Sequence, residues 1–199
     1  MLPEPLKKII ESLSNLPSLG PRQATRLAFY LIESGGNSIS EISRSLSALK
    51  NIKNCERCFF VKEGGKELCS ICLDDKRRSD LIAVVEKPTD LLSLERTRHF
   101  KGKYFILGDL AKNGVLGPAQ RLRIKHLAER LKKEFPNKEA EVIIAISPTT
   151  FGDFTADLIT QELRPLVKKI TRLGRGIPTG GEIEFADEET LRNALERRV

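Results

Sequence analysis

A chain of 199 residues that is 40% hydrophobic and 31% charged has the ordinary balance of a soluble protein, with room for one domain or for two to three small ones. Its 34 Lys plus Arg against 27 acids leave a formal charge of +7, which suits an anionic polymer as partner and equally suits a solvated basic surface. No apolar run approaches about 18 residues, and the opening MLPEPLKKII carries an acid and two prolines, so neither a membrane span nor a signal peptide is expected and the chain is placed in a reducing, cytoplasmic compartment.

Residues 5–34 read PLKKIIESLSNLPSLGPRQATRLAFYLIES. Leu6, Ile9, Ile10 and Leu13 recur at helical spacing, the pattern breaks at 15–20, and Ala24, Leu27, Ala28, Leu31 and Ile32 resume it. This predicts helix, hairpin, helix. Gly20 can take positive φ and let a backbone come close, and Pro21 suits a first helical turn. The second helix then begins with free N–H groups, and Arg22 and Arg26 share one of its faces, an arrangement that seats a phosphate. L-P-x-L-G-P-R is the pattern of the helix-hairpin-helix motif, which grips DNA backbone without reading bases; a plain helical hairpin with a Gly-Pro turn has the same local form. A third helix is expected over 38–50, with Ile39, Ile42, Leu46 and Leu49 on one face to close a small helical core.

The four cysteines, Cys55, Cys58, Cys69 and Cys72, form two Cys-x-x-Cys pairs separated by ten residues. Two such knuckles can aim four thiolates at one point, the tetrahedral sulfur cage that Zn²⁺ accepts, and a shell of four cysteines leaves no open position for chemistry. A disulfide framework, an iron–sulfur cluster and a redox Cys-x-x-Cys pair are the rivals; the expected compartment disfavours the first, and two pairs so close together do not favour the others. FFVKEGGKEL, between the pairs, has two apolar runs around Gly64-Gly65 and predicts a β-hairpin arm.

From Leu81 the texture changes. LIAVVE, KYFILG at 103–108, EVIIAIS at 141–147 and KKITRLG at 168–174 are strand patterns, and PTDLLSLERT, IKHLAERLKKEF and TADLITQELRPL are helical patterns between them. Such alternation predicts a parallel α/β sheet, whose ligands sit beyond the carboxyl ends of the strands. Those ends carry Glu86, Gly108-Asp109, and a Ser147–Thr150 loop followed by Gly152-Asp153. The segment 107–124 reads as a long loop, from which Arg121 and Arg123 could reach DNA or a partner. His99 and His126, the two histidines, are expected as surface or helix residues and not as ligands.

LPSLGPRQATRLA, the four-cysteine cluster, LIAVVEKPTDLLSLERT, ISPTTFGDFTADLI and TRLGRGIPTGGEIEFADEETLRNAL run in the order and spacing of the bacterial RecR recombination mediator family, and nearly the whole chain resembles it. RGIPTGGEIEFADEETL is the most specific of these segments. The resemblance implies a helix-hairpin-helix domain over 1–53, a four-cysteine zinc finger over 54–78, a Toprim domain over 79–173 and a C-terminal tail with a Walker-B-like strand end and a helix over 174–199. It further implies a homotetrameric ring built from dimers that clamps single-stranded, duplex or gapped DNA near the bacterial nucleoid. Such a ring acts with RecO and RecF to displace single-strand binding protein and load RecA. By the same resemblance DNA contact falls to Arg22 and Arg26 with Gly20 at the hairpin, and partner binding to the Toprim carboxylates Glu86, Asp90 and Asp153. Arg22 stands where many relatives have lysine, which keeps the charge.

Enzymatic Toprim domains need an acid after the first strand and an Asp-x-Asp pair after a later one, because two carboxylates hold Mg²⁺ against a phosphodiester. Glu86 meets the first requirement, but PTTFGDFTAD places Asp153 and Asp157 four apart, the spacing of a solvated or partner-facing acid patch on a helix. There is no GxxxxGK[ST] to complete an ATP site with Phe185-Ala186-Asp187, a segment that can be likened to a Walker B strand end. The expected class is therefore a non-enzymatic DNA-binding accessory protein. The alternatives are a metal-dependent nuclease or primase-like enzyme and an α/β interaction module without DNA. Gly174, Gly176, Gly180 and Gly181 let the backbone pass close to something, and a closing helix is expected over 186–198.

Overall fold

The computed structural model describes residues 2–110, 116–196 and 198, and the chain divides into two units, residues 1–53 and 54–199. In the first unit α1 (Glu4–Ser14), α2 (Pro21–Glu33) and α3 (Gly35–Ala48) follow the expected periodicity. Pro5 and Pro21 stand in the first turns, where their missing N–H groups are not needed. Leu6, Ala24 and Ala28 are buried between α1 and α2. The expected role of α3 is not met: Ile39, Ile42, Leu46 and Leu49 are 41–62% exposed, and no residue of that helix is buried. Three short helices with mostly small residues at the contact cannot enclose a third apolar stripe, so an open trough remains, lined by Leu6, Ile9, Leu31, Ile39, Ile42 and Leu46.

Strand β1 (Ile52–Asn54) pairs with β2 (Val61–Glu63) in a two-stranded sheet, with the first Cys pair in the turn between them. The hairpin arm predicted within 59–68 is thus corrected: the partner of β2 precedes Cys55, and residues 66–69 form no strand. In the second Cys pair, Cys69 is the N-cap of α4 (Ser70–Leu73) and Cys72 lies within that helix.

The main sheet has parallel strands in the order β4 (Gly102–Ile106), β3 (Arg78–Val85), β5 (Glu141–Ala145), β6 (Lys169–Arg172). Near-continuous apolar runs arise because both faces are covered. Ile82, Val84, Phe105, Val142 and Ile144 pack under α6 (Pro118–Glu134) and α7 (Thr150–Leu163), which supply Leu127, Leu131, Ile159 and Leu163. Ala83, Val85, Tyr104 and Ile106 face α5 (Pro88–Arg96) and the cysteine ribbon, meeting Leu91, Leu94, Phe60 and Ile71. Each fully buried Leu, Ile or Phe here contributes roughly 1.5–3 kcal/mol.

Although β4 is an edge strand, all five of its residues are buried. The ribbon closes that edge: Ile106 N–H donates to the Cys58 carbonyl at 2.9 Å. The loop expected over 107–124 is shorter, because Pro118 opens α6 with Gly117 as its N-cap, while residues 111–115 lie outside the described set. The acidic tail segment is also corrected: Ile183–Phe185 forms a single 3₁₀ turn and not a strand end, so the likeness to a Walker B strand fails. Helix α8 (Glu188–Glu196) follows, with Asp187 accepting from Thr190 N–H at 2.8 Å, and residue 197 of the expected closing helix lies outside the described residues.

Candidate functional site

The hairpin of the first unit differs from expectation in one torsion. Ser18 takes the left-handed conformation with φ 65°, whereas Gly20 has φ −81° and ψ 168° and serves as the N-cap of α2. A Cβ at Gly20 would meet only the end of the Gln23 side chain, so glycine here keeps the helix start unobstructed and is not demanded by its torsion. No side chain caps α2, and its first N–H groups point outward with the positive end of the helix dipole. Arg22 and Arg26 are both exposed on this helix one turn apart, and among the described residues neither is engaged in an ion pair.

In the second unit the four cysteines are all at least 95% buried and form one cluster, with their sulfurs within 4.8 Å of one another. Tetrahedral thiolates at zinc–sulfur distance would stand about 3.8 Å apart, so the cage is of the right size for a metal ion. Cys58 and Cys69 sulfurs are 3.5 Å apart, and Cys69 N–H points to the Cys55 sulfur at 3.4 Å, as in a knuckle. Cys58, Cys69 and Cys72 bias one another: hydrogen bonds to Cys69 and Cys72, then burial, drive the Cys58 thiol far up, while Cys69, which receives bonds from Cys58 and Cys72, is drawn down. Shared ionisation of this kind is what a cation relieves by holding all four as thiolates. His99 is exposed, and His126 packs edge-on against Phe59 with centroids 5.4 Å apart, so neither joins the cluster.

The chain passes from β3 outward to β4 and then returns to the opposite side of β3 as β5, so the switch point of the sheet lies between β3 and β5. Glu86 follows β3, and its carboxylate accepts from Leu110 N–H at 3.4 Å with the Lys87 ammonium 3.9 Å away. Asp90 reaches back to Lys87 N–H at 3.1 Å and closes the first turn of α5. Asp153 lies in the first turn of α7, where Thr149 caps the helix by accepting from Gly152 N–H at 3.1 Å. It is not a solvated acid: Arg172 and Arg175 both donate to the same carboxylate oxygen, and Arg175 also binds Glu189 of α8 at 3.0 Å. Burial alone would raise this carboxyl, but the two guanidinium groups outweigh it and hold Asp153 below the ordinary aspartate range. Asp157, by contrast, is exposed, so the two acids do not form the common patch their spacing suggested.

Sequence reasoning missed Arg172 and Arg175, whose partner lies 19 and 22 residues earlier, beyond any local motif. It also missed a cluster behind the ribbon, where Arg77 grips both oxygens of Glu95 at 2.9 and 2.6 Å and Tyr104 donates to Glu95 at 2.7 Å. The hydrogen bonds from Arg77 come first in lowering the Glu95 carboxyl, against the effect of burial. Arg123, a candidate for DNA contact, is instead turned inward, donating to the Ile106 carbonyl at 3.1 Å and lying over the Phe59 ring at 4.4 Å from its centroid.

A helical-hairpin unit with a free basic helix start, a closed four-cysteine centre and a four-stranded Toprim-type sheet define a multidomain protein of nucleic-acid transactions. Residues 6–50 match the family profile "RecR, helix-hairpin-helix", residues 80–174 the Toprim domain and residues 176–199 "RecR, C-terminal". The chain is 39% identical over 200 residues to the recombination protein RecR of Myxococcus xanthus, covering 100% of this chain and 98% of that one. It is 41% identical over 197 residues to RecR of Synechococcus elongatus, covering 98% and 95%, and 40% identical over 201 residues to RecR of Gloeobacter violaceus, covering 100% and 98%. The chain belongs to the RecR family of recombination proteins. Among the described residues no helix is long and apolar enough to cross a membrane.

Proposed function

We propose that this protein is a non-enzymatic DNA-binding mediator of recombinational repair. As a ring of four chains built from dimers it holds gapped DNA and, with RecO and RecF, exchanges single-strand binding protein for RecA. The observation that carries the DNA role is the start of α2, where uncapped N–H groups and the unpaired, exposed Arg22 and Arg26 offer a seat for backbone phosphate. Gly20 keeps that approach clear. Zn²⁺ is the cation proposed for Cys55, Cys58, Cys69 and Cys72, bound for structure because four thiolates leave no open position. The work is divided among a DNA-holding part over 1–53, a zinc ribbon over 54–78, a Toprim part over 79–173 and an assembly tail over 174–199. Glu86 and Asp90 offer acidic surface to a protein partner, with Asp153 contributing through its arginine pair. The protein acts in the cytoplasm, at the nucleoid.

The Asp153 pairing weighs against the rival reading of a metal-dependent nuclease or primase-like enzyme. A carboxylate already neutralised by two arginines is poorly placed to hold Mg²⁺ together with Glu86. The test is mass in solution by light scattering, with and without gapped DNA, for wild type and for the Arg22→Glu, Arg26→Glu variant. A wild-type oligomer that binds DNA, and a variant of unchanged mass that does not, is the expected result. A variant that binds as well as wild type overturns the assignment of the DNA face, and strand cleavage with Mg²⁺ or Mn²⁺ that is abolished by Glu86→Ala overturns the non-enzymatic role.

A further inference from the structure

Lys103 lies in β4 with 4% of its surface exposed, and its ammonium donates to three backbone carbonyls, those of Ile71 at 3.0 Å, Cys72 at 3.2 Å and Asp74 at 2.6 Å. The carbonyls belong to α4 and the residue that ends it, so the side chain seats the second cysteine pair directly on the edge strand. Three acceptors satisfy three N–H donors, but they bring no negative charge. Among the described residues no carboxylate lies within ion-pair distance of Lys103, whereas Lys62, the other lysine tucked into the ribbon, has Glu56 at 3.3 Å. A buried ammonium without an anion is far more costly than a paired one, so the protein's own carboxylates leave this position unexplained.

The four cysteines offer the missing charge. As thiolates around a divalent cation they carry a net double negative charge, next to the carbonyl of Cys72 that Lys103 already holds. We infer that Lys103 is the counter-charge of the metal–thiolate centre and the tie that fastens its second cysteine pair to the α/β sheet. This rests on the four cysteines being a closed divalent-metal site. Strand β4 then grips both halves of the centre, the first through Ile106 N–H on the Cys58 carbonyl and the second through Lys103. Lys103 is a positioning residue, since it binds the frame that carries a ligand and not the ligand sulfur itself.

Two variants of the full chain separate charge from hydrogen bonding: Lys103→Gln keeps two N–H donors and loses the charge, and Lys103→Met loses both. Zinc affinity is read by competition with a chromophoric chelator, and the ligand set by the absorption of the Co²⁺-substituted protein. The expected result is a tetrathiolate Co²⁺ spectrum unchanged in Lys103→Gln with zinc affinity about tenfold lower or more, and a larger loss in Lys103→Met. Zinc affinity in Lys103→Gln within about twofold of wild type overturns the counter-charge while leaving the zinc site intact. A wild-type chain that takes up no divalent cation at its thiols overturns the zinc site and the inference together. Should a variant not fold on its own, refolding in excess Zn²⁺ decides: recovery by mass action supports the inference, and failure at saturating zinc assigns Lys103 to structure alone and overturns it.

Discussion

Replacing Arg22 and Arg26 together by alanine removes two solvent-facing cations from the start of α2 and should leave the fold unchanged, since both side chains are exposed and alanine favours a helix. On single-stranded DNA each phosphate contact contributes roughly −0.7 to the slope of log affinity against log salt, so the double variant should flatten the slope by about 1.4 for each engaged protomer. Near 0.1 M salt the same counterion release amounts to about fivefold in affinity per contact, hence about 25-fold for the pair. A ring that engages several protomers multiplies the loss, which makes these figures lower limits for an oligomer. The assay is fluorescence anisotropy of a labelled oligonucleotide titrated between about 50 and 200 mM salt, with circular dichroism to show equal folding. A variant whose line is displaced but parallel to wild type would refute the reasoning, because lost affinity with an unchanged slope means the arginines were not neutralising phosphates.

Glu95→Gln should cost about 2 kcal/mol by thermal unfolding at neutral pH, since Arg77 has only 18% of its side chain exposed and loses its two-pronged partner, while the 26% exposure of Glu95 keeps the cost below that of a fully buried pair. Because the Glu95 carboxyl is held below its ordinary value, its contribution is complete above the unfolded glutamate range and is lost as pH falls through the lower folded value; wild type and variant should therefore converge in acid, and an unchanged gap between their melting curves there would contradict the pairing. Gly152→Ala places a Cβ well inside contact distance of the Ser147 backbone carbonyl under the cap of α7, and should lower stability by about 2 kcal/mol or more; a loss under about 0.5 kcal/mol would mean that the 147–150 turn yields freely. Chelation by EDTA should lower the unfolding midpoint and expose four thiols to a thiol reagent, and equal midpoints with and without chelator would remove the structural role of the metal.

Much of the fold was legible because its signals are local. Buried-strand runs such as LIAVV and EVIIA, alternating with amphipathic helices, carry their partners' identity in their own composition, and the cysteine spacing carries the metal cage with it. The features that escaped depend on distant or outward relations. Ile52–Asn54 is wholly exposed and has no apolar pattern, so nothing marked it as the partner of β2. The apolar stripe of α3 looks like a core face, and periodicity does not distinguish a stripe that is covered from one that is left open. Asp153 was visible as an acid, but its neutralisation comes from Arg172 and Arg175 on the neighbouring strand and the turn after it. Lys103 inside KYFILG reads as the edge of an apolar run, and its burial is set by a ribbon some thirty residues earlier in the chain.

The edge of the sheet ties metal supply to colloidal behaviour. Gly102–Ile106 is a fully buried edge strand whose outer backbone is met at Ile106 by the cysteine ribbon, through the Cys58 carbonyl, and by Arg123 of α6. A chain that lets go of its cation loosens that cover and bares a row of backbone donors and acceptors beside Tyr104 and Phe105, the kind of template on which another chain can add a strand. If the cysteines hold the proposed zinc, starvation for the metal would then be felt first as clumping and turnover of the protein.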